Sequence, residues 1–348
     1  MSSAPFRDRF LRACRRQPVD RTPVWFMRQA GRYLPEYRKL RGDRDILVTC
    51  KDPATVTEIS LQPLRRMDLD AAIVFSDIMV PLAGVGIDVR IEPGRGPIVG
   101  TPVRSAADIE RLRPLEPEHD VPEALEAIRL LRKELAVPLI GFAGAPFTLA
   151  SYLIEGGPSR THERTKALMH GDHATWNALM RALVAIVLPH LRAQVDAGAQ
   201  ALQVFDSWIG ALDRDDYRTR VQPHMSTLFA GLADLEVPVI HFGVGTGELL
   251  GEMAASGGDV LGIDWRVPID EGWDRVGHDR AVQGNLDPAV LGAPWQVVER
   301  KSTEILRLAG DRDGHIFNLG HGVIPDTPPD TLARLVDFVH GTTERIPR

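Results

Sequence analysis

Short apolar runs rich in β-branched residues recur along the chain and are separated by longer stretches in which apolar positions follow helical spacing. Eight such runs occur: Val24 to Met27, Ala71 to Phe75, Pro138 to Phe142, Ala201 to Phe205, Pro238 to Phe242, Val260 to Ile263, Ala281 to Gly284 and His315 to Leu319. Helical patterns cover Pro53 to Met67, Val121 to Leu135, Arg164 to Gly198 with a break near Gly171, Asp215 to Leu235, Thr246 to Ser256 and Pro294 to Ala309. The stretch Thr327 to Val339 reads as a closing helix. Asp52 before Pro53, Pro122 near a helix start and Gly198 after a helix end supply entry and exit signals. Strands alternating with helices build parallel βαβ units, and eight strands are the number a closed barrel needs. The predicted fold is α/β, a single (β/α)8 barrel of TIM type over residues 1–348. A doubly wound open sheet is the alternative, but it does not require eight strands. The connection from 76 to 137 exceeds a simple crossover, and GIDVRIEPGRGPIVG, from Gly86 to Gly100, predicts a β-hairpin insertion after strand two.

Composition narrows the class without naming a function. At 348 residues, 44% hydrophobic and 25% charged, the chain is that of an ordinary globular protein with a large core. A barrel of this kind runs as one unit of about 250 residues or more. The net charge of −6 gives no general basis for nucleic-acid binding. Lysine occurs only at positions 39, 51, 133, 166 and 301, so most of the positive charge is arginine. The two cysteines, Cys14 and Cys50, form no C-x-x-C pair and lack the material for a disulfide framework or a thiolate cage. From Met1 to Gln17 there is no apolar signal core, and no stretch approaches the ~18 to 20 apolar residues of a membrane span. A cytoplasmic protein with no membrane association is expected.

In a barrel the active site is built where strands end, so the residues after each apolar run carry the chemistry. Those residues are unusually polar. Strand one runs into Arg28 and Gln29-Ala30-Gly31-Arg32-Tyr33, strand two ends in Ser76-Asp77, and strand three in Gly144-Ala145-Pro146-Phe147-Thr148. The rest end in Asp206-Ser207, in His241 and a Gly-rich turn, in Asp264, in Asn285, and in Asn318-Leu319-Gly320-His321-Gly322. Arg28, Arg32, Arg38 and Arg41 form a dense run. It is either a set of guanidinium groups for substrate carboxylates or a solvated loop paired with Glu36 or Asp43. Asp77 is either a structural ion-pair partner or a buried carboxylate that accepts substrate N–H groups and stabilises a cation. No lysine stands at a strand end, which argues against Schiff-base and pyridoxal-phosphate chemistry. His170 and His173 read as surface residues, and His241 has Gly243 rather than a soft ligand two positions on, so no metal site is expected. Gly243 to Gly247 is either a tight turn or a weak anion site.

These residues also carry a resemblance. The run from Pro23 to Arg38, PVWFMRQAGRYLPEYR, resembles the N-terminal signature of the uroporphyrinogen decarboxylase family, and Gly141 to Thr148, GFAGAPFT, resembles a second signature. Leu61 to Arg66, Phe75 to Ile78, Gln203 to Ser207, Gln283 to Pro288 and Asn318 to Gly322 match in the same order, so the resemblance spans nearly the whole chain. It implies a carboxy-lyase that removes the acetate carboxyls of a polycarboxylate tetrapyrrole without metal or organic cofactor, and a homodimer. Carried over by position, Arg28, Arg32 and Arg41 engage substrate carboxylates, and Asp77 contacts the pyrrole N–H groups. Tyr152, Ser207 and His321 are further cleft residues, and Phe205 is an apolar wall. Tyr37 stands where relatives often have Phe, and Trp208 where they often have His. Two readings compete: a zinc-dependent cobamide or thiol methyltransferase of the same superfamily, which needs His and thiolates in the barrel mouth, and a non-catalytic tetrapyrrole-binding protein. For the decarboxylase, Tyr152, His321, water and Arg28 are the candidate proton donors.

Overall fold

The computed structural model describes residues 6–92 and 94–345. Its strands are β1 (Ala72–Ile73), β2 (Val89–Glu92), β3 (Gly96–Val99), β4 (Leu139–Gly144), β5 (Ala201–Asp206), β6 (Val239–Gly243), β7 (Val260–Gly262), β8 (Ala281–Leu286) and β9 (His315–Leu319). Seven of them form one curled parallel sheet in the order β1-β4-β5-β6-β7-β8-β9. The other two, β2 and β3, make the antiparallel hairpin expected between Gly86 and Gly100, with Val89 opposite Val99. Pro93, within that hairpin, lies outside the described residues.

The first expected strand is the exception. Val24 to Met27 makes only one parallel bridge, Val24 with Phe317. Side chains have taken the donors that a ladder would use. The Val24 N–H goes to Asp70 Oδ2 at 2.8 Å, the Phe26 N–H to Gln29 Oε1 at 3.1 Å, and the Met27 N–H to Asn318 Oδ1 at 3.2 Å. The segment nevertheless links the two sheet edges: Phe317 N–H donates to Pro23 O at 2.9 Å, and Asp70 N–H donates to Val24 O at 2.9 Å. It serves as the eighth wall, between β9 and β1.

Both faces of the sheet are apolar, as expected when helices cover a parallel sheet. Trp25, Ile73, Ile140, Ile240, Phe242 and Ile316 fill the interior, with Phe142 and Phe205 packed against them. Leu202, Val204, Val239, Leu261 and Val282 face the helices instead. The interior also holds a polar rung, in which Trp25 Nε1 donates to Gln283 Oε1 at 2.8 Å and Gln283 Nε2 to Gln203 Oε1 at 3.2 Å.

The 164–198 stretch divides near Gly171, as expected, into Glu163–Gly171 and His173–Asp196, because the Asp172 carboxylate caps the second helix by accepting the Thr175 N–H at 3.0 Å. Other helices depart from expectation. His173–Asp196, 24 residues, is by length and composition apolar enough to cross a bilayer, contrary to the expectation that no stretch approaches such a span. Here its Trp176, Leu179, Leu183, Ile186 and Leu191 are buried in the core outside the sheet. The 215–235 stretch is broken into Arg214–Asp216, a π-helical turn Tyr217–Val221, Gln222–Ala230 and Ala233–Leu235, with Pro223 supplying no N–H at the join. The 246–256 helix begins only at Leu250. Pro146–Glu155 is a helix that periodicity could not reveal, since every residue from Pro146 to Ile154 is buried.

Candidate active site

Arg28 is positioned by backbone strain. It has φ +62°, a left-handed conformation that costs roughly 1–2 kcal/mol for a residue with a Cβ. The turn is held by Gln29 N–H donating to Phe26 O at 3.0 Å and by the Tyr33 hydroxyl donating to Gln29 O at 2.8 Å. The side chain then crosses Gly322 so closely that a Cβ there would stand 2.5 Å from Arg28 Cδ. Only glycine leaves room for it. The guanidinium is open to the cleft, yet the surrounding walls displace enough bulk water to lower its pKa. Asp77 opposes that shift and Arg32 adds to it.

Asp77 follows β1 at the mouth. Its Oδ1 accepts the Met79 N–H at 2.9 Å. Burial raises its pKa, against the lowering influence of the Met79 N–H and of Arg28, while Asp45 adds to the rise. Arg28 is near enough to act through space but makes no direct ion pair with Asp77. The result is a carboxylate with little compensation, which attracts N–H donors or developing positive charge.

The arginine run resolves into two kinds. Arg38 Nη1 donates to Arg32 O at 2.7 Å and Tyr33 O at 3.2 Å, and Arg44 Nη2 donates to Leu40 O at 2.8 Å, so both brace the loop. Glu36 binds Arg66, with Oε1 at 2.5 Å from Nε, rather than any arginine of the run. Arg41 lies over the Tyr37 ring, 5.7 Å from its centroid. Among the described residues Arg28, Arg32 and Arg41 have no ion-pair partner, so the Glu36-paired loop is not what forms. Arg38 is thereby removed from the candidates for substrate binding.

Tyr152 comes from the Pro146–Glu155 helix and meets Trp208 edge-on at 5.9 Å between centroids. Burial pushes its phenol up to about 12, with Asp77 and Arg28 near enough to influence it in opposite directions. Phe205 stacks edge-on between Phe142 at 5.3 Å and Phe242 at 6.2 Å, an apolar wall beneath the mouth. Ser207 is half-buried in the turn after β5. His321 Nδ1 accepts the Gly322 N–H at 2.7 Å, which places the ring proton on Nε2. Burial, and then the charges of Arg28 and Arg266, lower its pKa to about 4. It is a neutral donor at pH 7, which weakens it as a candidate proton donor.

Other strand-end residues serve the framework. His241 points outward from β6 and packs on Phe229 at 5.1 Å. Asp206 also points outward, where its Oδ1 accepts the Thr148 hydroxyl at 2.8 Å. Asn285 Nδ2 donates to Asp264 O at 2.8 Å and Val267 O at 2.6 Å. In the glycine-rich turn the Gly245 N–H is already bound to Asp264 Oδ2, and no helix starts until Leu250, so the anion-site reading fails. Cys14 packs with Trp25 and Phe10 beneath the sheet, whereas Cys50 sits near Ser76 and Asp77, its thiol pushed up to about 12 by burial. Among the described residues no three His, Cys, Asp or Glu side chains gather as metal ligands. The donor set of a thiol-activating zinc site is therefore not assembled in the mouth. Trp265 and Arg266 have no counterpart among the residues expected from the sequence; both follow strand-end Asp264 directly, which was the available signal.

Fold and site together define a parallel α/β-barrel protein whose mouth holds arginines without an ion-pair partner among the described residues and a poorly compensated acid. The chain belongs to the uroporphyrinogen decarboxylase (URO-D) family, whose model matches residues 5–342. It is 61% identical to uroporphyrinogen decarboxylase of Thermobifida fusca over 96% of this chain and 92% of that protein. It is 58% identical to that of Salinispora tropica, over 97% of this chain and 91% of the other. Among solved structures a methyltransferase from Methanosarcina mazei has the same fold, with a TM-score of 0.81 at 20% identity, covering 97% of this chain and 98% of that one.

Proposed function

We propose that the chain decarboxylates the four acetate side chains of uroporphyrinogen III to methyl groups, giving coproporphyrinogen III and carbon dioxide. The observation that carries this reading is the placing of Asp77 beside Arg28, in a chain whose family membership spans almost its full length. The same reading makes the chain one catalytic domain that works in the cytoplasm as a homodimer, without metal or organic cofactor.

Loss of carbon dioxide leaves an electron pair on the side-chain methylene, so the reaction needs an electron sink. Protonating a ring carbon beside the pyrrole nitrogen makes the ring an iminium-like acceptor. Carbon dioxide then departs, the exocyclic methylene takes a proton to become methyl, and the ring carbon gives up the proton it had gained, so that one proton is consumed for each carboxylate lost. Asp77 accepts pyrrole N–H bonds and stabilises the cation, which supplies the partner that its own surroundings withhold. Arg28, Arg32 and Arg41 hold carboxylates, Phe205 forms an apolar wall, and Tyr152, Ser207 and neutral His321 orient the macrocycle.

Neither His321 nor Tyr152 is matched to proton donation. With a pKa of about 4, only about one His321 in a thousand is imidazolium at pH 7, and a phenol near 12 is a weak acid. Arg28 is the candidate whose shift runs toward the working pH. His321→Asn is therefore expected to raise KM while kcat stays within about tenfold of wild type. A kcat loss of about a thousandfold would restore His321 as the acid.

Asp77 acts as the anion, so activity disappears as pH falls through its raised pKa. Because Arg28 lowers that pKa, Arg28→Gln is expected to move the acid limb of kcat/KM to higher pH. An unmoved limb would separate the two groups. The overall test is anaerobic incubation with uroporphyrinogen III and chromatography of the oxidised products. Conversion to the four-carboxyl product without added metal supports the reading, and no conversion by folded protein rejects it.

A further inference from the structure

We propose that Arg266 is a further substrate-binding residue, holding a carboxylate of the macrocycle on the wall of the mouth opposite Asp77. This rests on the decarboxylase reading of the site. With Val24 to Met27 as the eighth wall, β7 is four positions around the barrel from β1 in either direction. Arg266 follows β7 and Asp77 follows β1, so the two stand across the opening from each other. Arg28, Arg32 and Arg41 all come from the segment after the eighth wall, beside β1. A ligand with carboxylates on every edge extends beyond their reach and needs a cation on the far side.

The local structure presents Arg266 for that purpose. Its guanidinium carbon lies over the Trp265 ring, 3.9 Å from the centroid, and its side chain is 51% exposed. Trp265 in turn meets His321 edge-on at 6.2 Å. Both Arg28 and Arg266 act on the His321 ring, so the cationic row begun by Arg28 over Gly322 continues through a neutral histidine to Arg266. The supporting loop is rigid. Asn285 holds two of its carbonyls, and Gly320 lies so close that a Cβ there would be 2.3 Å from the Trp265 N atom.

Asp264 does not use up this cation. It is 1% exposed, and its Oδ1 accepts the Arg266 backbone N–H at 2.9 Å. Oδ2 accepts the Gly245 N–H and Arg266 Nη1, the latter at 2.8 Å. One of the five guanidinium N–H donors is thus spent on orientation, and the others are available to a carboxylate, which a planar fork binds at two points. Arg266 is a preset clamp rather than a closed ion pair.

Two measurements test this with wild type, Arg266→Gln and Arg266→Lys. In steady-state turnover of uroporphyrinogen III, Arg266→Gln is expected to raise KM about tenfold with kcat reduced no more than a few-fold, and Arg266→Lys to recover most of the loss. KM of the wild type should also climb more steeply with ionic strength than that of Arg266→Gln, because one charge contact is missing from the variant. In parallel, fluorescence titration with uroporphyrin, the oxidised and unreactive macrocycle with the same carboxylates, should show Kd about tenfold weaker for Arg266→Gln. Equal Kd values for wild type and Arg266→Gln would overturn the inference whatever the turnover. A raised KM with an unchanged salt dependence and no rescue by lysine would also overturn it, since that pattern belongs to a loop brace. Wild-type protein that binds the porphyrin in an Arg266-dependent way but converts nothing would reject the proposed function and leave the binding role standing.

Discussion

Asp77→Asn is expected to lower kcat about a thousandfold while the protein stays folded. Asparagine keeps the shape and an acceptor for the Met79 N–H, so the turn after β1 survives. Only the charge is lost. A preorganised group aimed at charge that develops in the transition state is worth roughly 10²–10³ in kcat, and here the anion has few competing partners. The stability effect has the opposite sign. Burial raises the Asp77 pKa above its ordinary value, so the ionised form costs folding free energy at neutral pH. The neutral amide relieves that cost, and Asp77→Asn should unfold at the same or a higher denaturant concentration than wild type. A variant that kept more than a tenth of wild-type kcat would remove Asp77 from the chemistry.

Asp70→Ala is expected to cost about 2–4 kcal/mol of folding stability, measured by denaturant unfolding with an unchanged slope. Asp70 is 1% exposed and closes three connections at once. Its Oδ1 binds Arg9 Nη1 at 2.5 Å, and its Oδ2 takes the Val24 N–H at 2.8 Å and lies 2.7 Å from His340 Nε2. The N-terminal helix (Arg9–Cys14), the eighth wall and the C-terminal helix (Pro329–Thr343) therefore share one carboxylate. Truncation leaves the buried Val24 N–H and His340 Nε2 without their partner, while Arg9 keeps its bonds to Asp20. Asp68→Ala provides the contrast. That residue is 44% exposed and pairs with Arg7 and Arg21 at the surface, so its loss should cost under about 1 kcal/mol. If both variants lost the same small amount, the eighth wall would not depend on Asp70.

Much of this architecture is legible in the chain. Apolar runs bounded by polar strand ends mark seven sheet strands, and the composition of 86–100 marks the hairpin. Arg28 and Asp77 are visible because each directly follows such a run. What hides is whatever depends on facing. A strand that alternates polar and apolar residues declares which side is wet, but strands buried on both sides do not. His241 and Asp206 consequently looked like mouth residues, although both point outward.

The sequence by itself determined the α/β alternation, the barrel class, the hairpin, and the acid and arginines at the strand ends. These follow from local periodicity and from short signals that need no distant partner. Only the tertiary structure decided that Val24 to Met27 closes the barrel with side-chain bonds instead of a ladder, that Arg38 braces its loop while Arg28, Arg32 and Arg41 stay unpaired, and that Arg266 faces Asp77 across the mouth. It also decided that His321 is neutral and that Asp77 resists ionisation. Hydrogen-bond capture and pKa shifts arise from desolvation and from charges brought together through space. Their partners, such as Asp70 with His340 or His321 with Arg28, lie hundreds of positions apart in the chain.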